Sequence, residues 1–126
     1  MDIRSLALVF IGGGLGSVGR FLVATLVAQR IGVLFPWGTL AINVLGSFAI
    51  GAVIALAGIR IVAPDARLFL AVGVLGGFTT FSTFSYDTLG LVNEGAFLQA
   101  GLYVGISVVG GILAAFAGVA IVKLVF

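Results

Sequence analysis

Four long stretches with almost no charge constrain this chain more than any other feature. They cover residues 5–29, 31–59, 68–86 and 97–122, and Arg20 is the one charged residue inside them. A helix needs about 20 apolar residues to cross the hydrocarbon core of a membrane. The chain is 62% hydrophobic and 8% charged, whereas a soluble domain carries about 25% charge. We therefore predict an all-α membrane protein with one transmembrane domain, residues 1–126, whose four helices span approximately 5–29, 37–59, 67–92 and 97–123.

The side chains on which most catalysis depends are missing or scattered. The sequence has no Cys and no His, which removes thiolate metal ligands and the commonest general base. Its four acidic residues form no pair inside a predicted span. Six basic residues stand singly and give a net charge of +2, unlike the basic patch of a nucleic-acid binder. We expect neither an enzyme nor a nucleic-acid partner.

The short connections predict antiparallel neighbouring helices, with both termini on one side of the membrane. Basic residues are divided four to two between the sides, with Arg4, Arg60, Arg67 and Lys123 opposed to Arg20 and Arg30. An excess of Lys and Arg normally marks the cytoplasmic loops. Because the excess here is small, insertion in both orientations is possible.

Small residues recur at helical spacing in the first and last spans. The chain has 20 glycines, and small residues four positions apart let membrane helices approach closely. Tight packing leaves little room for a pathway within one subunit, so we expect an oligomer. The pairs with this spacing are Gly12/Gly16, Gly101/Gly105, Gly111/Ala115 and Ala114/Gly118.

The most unusual stretch is residues 76–85, Gly-Gly-Phe-Thr-Thr-Phe-Ser-Thr-Phe-Ser, with five hydroxyl side chains and three phenylalanines. Lipid offers hydroxyl groups no hydrogen-bond partners, so such a cluster inside a span is unusual. On a continuous helix, Phe78, Phe81 and Phe84 would lie within about 60° of one direction, opposite most of the hydroxyls. The Gly76-Gly77 pair ahead of them could interrupt the helix.

Polar residues on the other helices leave their roles open. Arg20 either snorkels or pairs structurally, or it draws anions toward a vestibule. Asn43 either bonds a neighbouring helix or donates its amide to a permeating anion. Tyr103 and Ser107, four residues apart, place two more hydroxyls on one face of the last helix.

The combination of these side chains favours a pathway for a small anion. Aromatic rings present a positive edge, and hydroxyl and amide groups donate hydrogen bonds without a fixed charge. Such groups can replace the hydration shell of an anion and still hold it weakly enough for it to leave, as conduction requires.

The motif at 76–85 resembles the signature of the Fluc (CrcB) fluoride channels. The resemblance extends over essentially the whole chain, through Gly19-Arg20, Pro36-Trp37-Gly38-Thr39, Asn43-Val44-Leu45-Gly46 and Tyr103. It implies a fluoride-selective channel in the plasma (inner) membrane of a prokaryote, which lets fluoride leave the cytoplasm passively and reduces fluoride toxicity. It also implies an antiparallel, dual-topology homodimer with two fluoride pathways.

The resemblance also implies roles for individual residues. Phe81 and Phe84 would meet fluoride through their ring edges, and Asn43 would lie on the pore. Ser82, Thr83 and Tyr103 would form a track of hydroxyl groups along the pathway, and Arg20 would be the vestibule arginine. Ser107 is added to the pathway because it shares a helix face with Tyr103.

A break in the third helix near Gly76–Thr79 is implied as well. There the backbone carbonyls of Gly76 and Thr79 would hold a structural sodium ion at the dimer interface. The family often has Glu near the vestibule after the motif, where this chain has Asp87. The role of Asp87 is therefore left open.

Two other functions stay open beside the channel. A small proton-coupled exporter, of fluoride or multidrug type, shares the length and helix count. Such exporters resemble one another in a membrane-buried Glu in the first helix, where this chain has Arg20, and Asp87 would be the one candidate proton carrier. A non-conducting assembly subunit would use the hydroxyls only to cross-link helices.

Overall fold

The computed structural model describes residues 2–126, and in this range it is helical apart from short connections and one break. The helices are α1 (Ile3–Ile31), α2 (Trp37–Gly58), α3 (residues 64–78), α4 (Phe81–Asn93) and α5 (Phe97–Val125). Helices α3 and α4 follow one another within the third span, Pro64–Asn93. Over the described residues, four spans are long and apolar enough to cross a membrane, which confirms the predicted all-α membrane class.

The ends of α1 show how local chemistry sets the helix bounds. Asp2 caps the start, because its Oδ1 accepts a hydrogen bond from the backbone N–H of Ser5 at 2.8 Å and satisfies a donor that has no partner within the helix. Gly32 ends the helix at φ 99°, a backbone angle that glycine adopts without steric cost. The next helix begins at Trp37, directly after Pro36.

Glycines bring α1 into backbone contact with α3. A Cβ placed on Gly12 would lie 2.7 Å from the carbonyl oxygen of Phe69, and a Cβ on Gly16 would lie 2.8 Å from the backbone nitrogen of Phe78. A Cβ on Gly77 would overlap the carbonyl oxygen of Gly13. Close backbone approach of this kind is how helices gain packing energy within a membrane.

A second close contact joins α2 to α5. Side chains added at Gly51 and Gly118 would overlap the carbonyl oxygens of Ala115 and Phe48, respectively. The predicted Gly101/Gly105 pair behaves differently. Within residues 2–126, no atom outside the adjoining backbone of α5 lies within 4 Å of a Cβ built at either position, so these two glycines do not pack helices together inside the chain.

The third span is broken at Thr79 and Thr80. Thr79 has φ −76° and ψ 158°, and Thr80 has φ −153° and ψ 122°, so both are extended. The break thus begins at the last residue of the predicted range, Gly76–Thr79. Gly76 itself is helical, with φ −63° and ψ −37°. The glycine pair, which could have interrupted the helix, does not do so itself: both glycines lie in the helical turn Gly76–Phe78, and Gly77 closely approaches Gly13.

The helical turns of α3 are wider than those of an α-helix just ahead of the break. Residues Leu68–Leu75 form a π-helix between the α-helical turns Pro64–Arg67 and Gly76–Phe78. Such π-helical turns are rare and are often found at functional sites. The break also interrupts the expected phenylalanine stripe, because it separates Phe78 from Phe81. The ring of Phe78 instead reaches α1, 3.7 Å from a Cβ built on Gly19.

Candidate functional site

A groove of about 460 Å³ opens at the break in the third span. It is bounded by side chains of α2, α3, α4 and α5, and no charged side chain lines it in the part of the chain that the structure describes. Its polar and aromatic lining residues are Asn43, Ser47, Thr79, Thr80, Phe81, Phe84 and Ser107, and Gly46 and Gly76 also reach it. The groove therefore gathers residues that lie far apart in sequence.

Asn43 on α2 bonds the exposed backbone of the break. Its Oδ1 accepts from the N–H of Thr80 at 2.8 Å, and its Nδ2 donates to the carbonyl oxygen of Thr80 at 3.0 Å. The interhelical bond considered for Asn43 is thus present. An amide group carries two N–H donors, so one donor of Asn43 stays free of this contact.

The hydroxyl group of Thr80 organises the start of α4. It accepts from the backbone N–H of Thr83 at 3.2 Å, donates to the Thr83 hydroxyl at 3.2 Å, and lies 3.3 Å from the Ser82 hydroxyl. Thr80 is buried and is absent from the set of predicted site residues. A Thr directly ahead of a helical run is a preferred N-cap residue, and this signal could have found it.

Aromatic rings form a connected row beside the groove. The ring centroids of Phe81 and Phe84 are 5.5 Å apart, and those of Phe84 and Tyr103 are 5.2 Å apart. Tyr103 continues to Phe35 with an edge-on contact at 5.6 Å. Phe81 begins this row on an outer surface, with 78% of its area exposed in the single chain.

Tyr103 is part of the buried core of the chain. It is fully buried, and its hydroxyl donates a hydrogen bond to Asp87 Oδ2 at 3.1 Å. Asp87, whose role the sequence leaves open, therefore has a hydroxyl partner. Tyr103 is not among the residues that line the groove, although it contacts Phe84, which does.

The two remaining predicted residues, Ser107 and Arg20, differ in position. The Ser107 Oγ is buried and has no hydrogen-bond partner among residues 2–126, and Ser107 lines the groove. Arg20 lies half-buried on α1 and is outside the groove lining. Within the described range, the ion pair present joins Arg4 to Asp65 at the ends of the first and third spans.

Backbone carbonyls at the break, among them those of Gly76 and Thr79, lose their usual helical partners. In a continuous helix, the carbonyl of Gly76 would accept from the N–H of Thr80, and that of Thr79 from the N–H of Thr83. The first N–H donates to Asn43 and the second to the Thr80 hydroxyl. Oxygen atoms freed in this way are the ligands that hard cations prefer.

These features define a class: a multi-pass helical membrane protein whose broken span opens an uncharged groove lined with amide, hydroxyl and aromatic groups. The family model described as CrcB-like protein, Camphor Resistance (CrcB), matches residues 7–119. The chain belongs to this family, as its resemblance predicts.

Curated relatives cover nearly the whole chain. A protein of Agrobacterium fabrum is 47% identical over 123 residues, which is 97% of this chain and 98% of the relative. A protein of Thermus thermophilus is 48% identical over 118 residues, 94% of this chain and 93% of the relative. Both are named fluoride-specific ion channel FluC. With its four apolar spans, this chain is a prokaryotic multi-pass membrane protein.

Proposed function

We propose that this protein is a fluoride-selective channel of the plasma (inner) membrane, which lets fluoride leave the cytoplasm passively and so lowers fluoride toxicity. The observation that carries this proposal is the groove at the broken span, which offers weak donors and ring edges and no charged side chain. The relatives named fluoride-specific ion channel support the choice of ion.

Fluoride is strongly hydrated, so a pathway has to replace its water molecules with other donors. The free N–H of Asn43 and the unpartnered hydroxyl of Ser107 supply hydrogen bonds at the groove. Phe81 and Phe84 add the positive edges of their rings. Because no Lys or Arg in the described residues lines the groove, an anion is held weakly and can move on.

The other assigned residues lie next to this path. The hydroxyls of Ser82 and Thr83 gather at Thr80, and Tyr103 backs the ring of Phe84. Arg20, half-buried on α1, is assigned to the vestibule, where its positive charge would raise the local concentration of anions.

We propose an antiparallel, dual-topology homodimer as the conducting unit. On the single chain, α4 exposes Phe81 and Tyr86, at 78% and 75%, together with the hydroxyl groups of Ser82 and Ser85. The Ser85 hydroxyl donates to the Phe81 carbonyl oxygen, but polar side chains on a lipid-facing surface are still unfavourable, so a second copy is the better cover for this face. The small difference in basic residues between the two sides agrees with insertion in both orientations.

A structural sodium ion at the dimer interface is part of the proposal. The freed carbonyl oxygens of Gly76 and Thr79 fit such an ion, because Na⁺ is a hard cation that takes neutral oxygen ligands. Two carbonyls from each subunit would hold it. When bound, the ion supplies a positive charge that favours nearby anions.

The alternatives considered for the chain are less well supported. A proton-coupled exporter needs a titratable group on its pathway, whereas Asp87 accepts a hydrogen bond from Tyr103 and lies outside the groove lining. A non-conducting assembly subunit would use its hydroxyls to bond helices together. The Ser107 hydroxyl makes no such bond within the described residues.

Reversal potentials in a planar bilayer test the proposal. With unequal fluoride concentrations on the two sides and chloride making up the difference, a fluoride-selective channel gives a current that reverses near the fluoride equilibrium potential. A potential that follows chloride, or no current from a folded protein, would contradict it.

A further inference from the structure

The contact between Asn43 and Thr80 has a geometry that a helix does not permit. In an extended residue, the N–H and the C=O point to the same side of the chain, as they do in an antiparallel sheet. One planar amide then reaches both groups, and Asn43 bonds both at 2.8 and 3.0 Å. In a helix, the N–H and the C=O of one residue point to opposite ends, so one side-chain amide does not bond both.

Asn43 therefore favours the extended conformation of Thr80 over the helical one. It satisfies both backbone groups that the break exposes, and an unsatisfied buried backbone group is costly. Asn43 is held firmly in position, because α2 packs closely against the break at Gly46. A Cβ on Gly46 would overlap the Thr79 side chain, so the two elements have no room for an intervening side chain.

The same contact keeps the Gly76 carbonyl from regaining its helical partner. The N–H of Thr80 can serve Gly76 in a continuous helix or Asn43 in the broken one, and here it serves Asn43. The Gly76 carbonyl oxygen is thus kept free by an amide group 33 residues earlier in the chain.

We propose that Asn43 is a positioning residue that holds Thr80 extended, keeps the third span broken, and thereby frees the Gly76 carbonyl oxygen for a cation. The cation part rests on the proposed function; the role in holding the break does not. Asn43 still has one N–H to offer an anion, so a single side chain couples the cation site to the groove.

Hydrogen exchange at the Thr80 amide tests the first part in the protein itself. In wild-type protein in micelles, this N–H should exchange slowly. Asn43→Leu, close in volume but without hydrogen bonds, should speed exchange by about tenfold, as expected for the loss of one buried hydrogen bond. Asn43→Asp keeps the acceptor but replaces the donor with an oxygen that faces the Thr80 carbonyl, so it should keep only part of the protection. Asn93→Leu makes the same change on an exposed side chain at the end of α4, outside the groove lining; it is the matched control and should leave Thr80 exchange unchanged.

Stability in sodium tests the second part without measuring flux. A ligand that binds only the folded state raises the unfolding temperature, so Na⁺ should stabilise wild-type protein relative to N-methyl-D-glucamine. Asn43→Leu should lose this difference, and Asn93→Leu should keep it. A folded Asn43→Leu protein with the wild-type response to sodium would overturn the coupling.

The remaining outcomes are also decisive. If Asn43→Leu does not fold, fast exchange of Thr80 in wild-type protein is enough to overturn the positioning role. If wild-type protein shows no response to sodium while Thr80 is protected, the cation part of both proposals fails and the positioning role stands. Loss of fluoride selectivity in bilayers, with both responses intact, would refute the proposed function alone.

Discussion

Replacing Gly16 with alanine should separate α1 from α3 just before the break. The added Cβ would overlap the Val74 carbonyl oxygen and lie 2.8 Å from the Phe78 nitrogen. Both are backbone atoms, so no flexible side chain can move aside. Overpacking typically costs about 1–3 kcal/mol, and rigid neighbours favour the upper end. The better helix propensity of alanine returns up to about 1 kcal/mol. We expect Gly16→Ala to lower the free energy of unfolding by about 2 kcal/mol.

Gly14→Ala is the matched control, because, outside the adjoining backbone of α1, no atom of the described residues lies within 4 Å of a Cβ at this position. It should be neutral or stabilising by up to about 1 kcal/mol. The two variants should therefore differ by about 3 kcal/mol, or roughly a hundredfold in the unfolding equilibrium. Unfolding in mixed micelles with increasing sodium dodecyl sulfate, followed by Trp37 fluorescence, measures this difference. Equal midpoints for the two variants would refute the close backbone contact.

Three further predictions concern the pathway and the first helix. Phe81→Ile and Phe84→Ile should each reduce fluoride flux by roughly tenfold with the dimer still assembled; unchanged flux in both would remove the ring-edge role. Ser107→Ala removes a buried hydroxyl without a partner, so the protein should be about 1 kcal/mol more stable in thermal unfolding but conduct less fluoride; lower stability would mean that the hydroxyl has a partner. Hydrogen bonding to Ser5 holds the pKa of the Asp2 carboxyl below its ordinary value. The stability that this cap contributes is therefore fully present above the pKa of the unfolded chain and is lost as the pH falls through the lower pKa of the folded chain. A Ser5 amide chemical shift that titrates with the ordinary pKa of Asp would contradict this.

The four spans are predictable from the sequence because the lipid bilayer restricts the structures that an apolar segment can adopt. An uncharged run long enough to cross a membrane has few other folds available to it. The observed helices α1 and α5 extend to Ile3–Ile31 and Phe97–Val125, slightly beyond the predicted 5–29 and 97–123. Helix ends outside the apolar core depend on caps such as Asp2, and hydrophobicity does not report them.

The exact position of the break is not predictable from composition alone. Two adjacent glycines are the expected place for a helix to stop, yet the dihedral angles change at Thr79 and Thr80. Glycine has two uses, a flexible backbone and a missing side chain, and sequence does not distinguish them. At Gly77 the missing side chain is what matters, because Gly13 lies against it.

The site depends on contacts between distant segments. Asn43 and Thr80 are 37 residues apart, and Tyr103 and Asp87 are 16 apart on different helices. Each contact requires the register of one helix against another, which is set by packing at Gly46 and similar positions. Residue types alone identify Asn43 and Tyr103 as polar groups within spans, and the structure supplies their partners.

Fluoride release from liposomes tests the central claim most directly. Purified protein is placed in vesicles loaded with potassium fluoride, and release is followed with a fluoride electrode, with and without valinomycin. Passive conduction predicts fast release that requires valinomycin, because potassium must leave to balance the charge. Parallel vesicles loaded with potassium chloride should show no matching release of chloride. Release that ignores valinomycin and follows a proton gradient would contradict the account and would identify a coupled exporter.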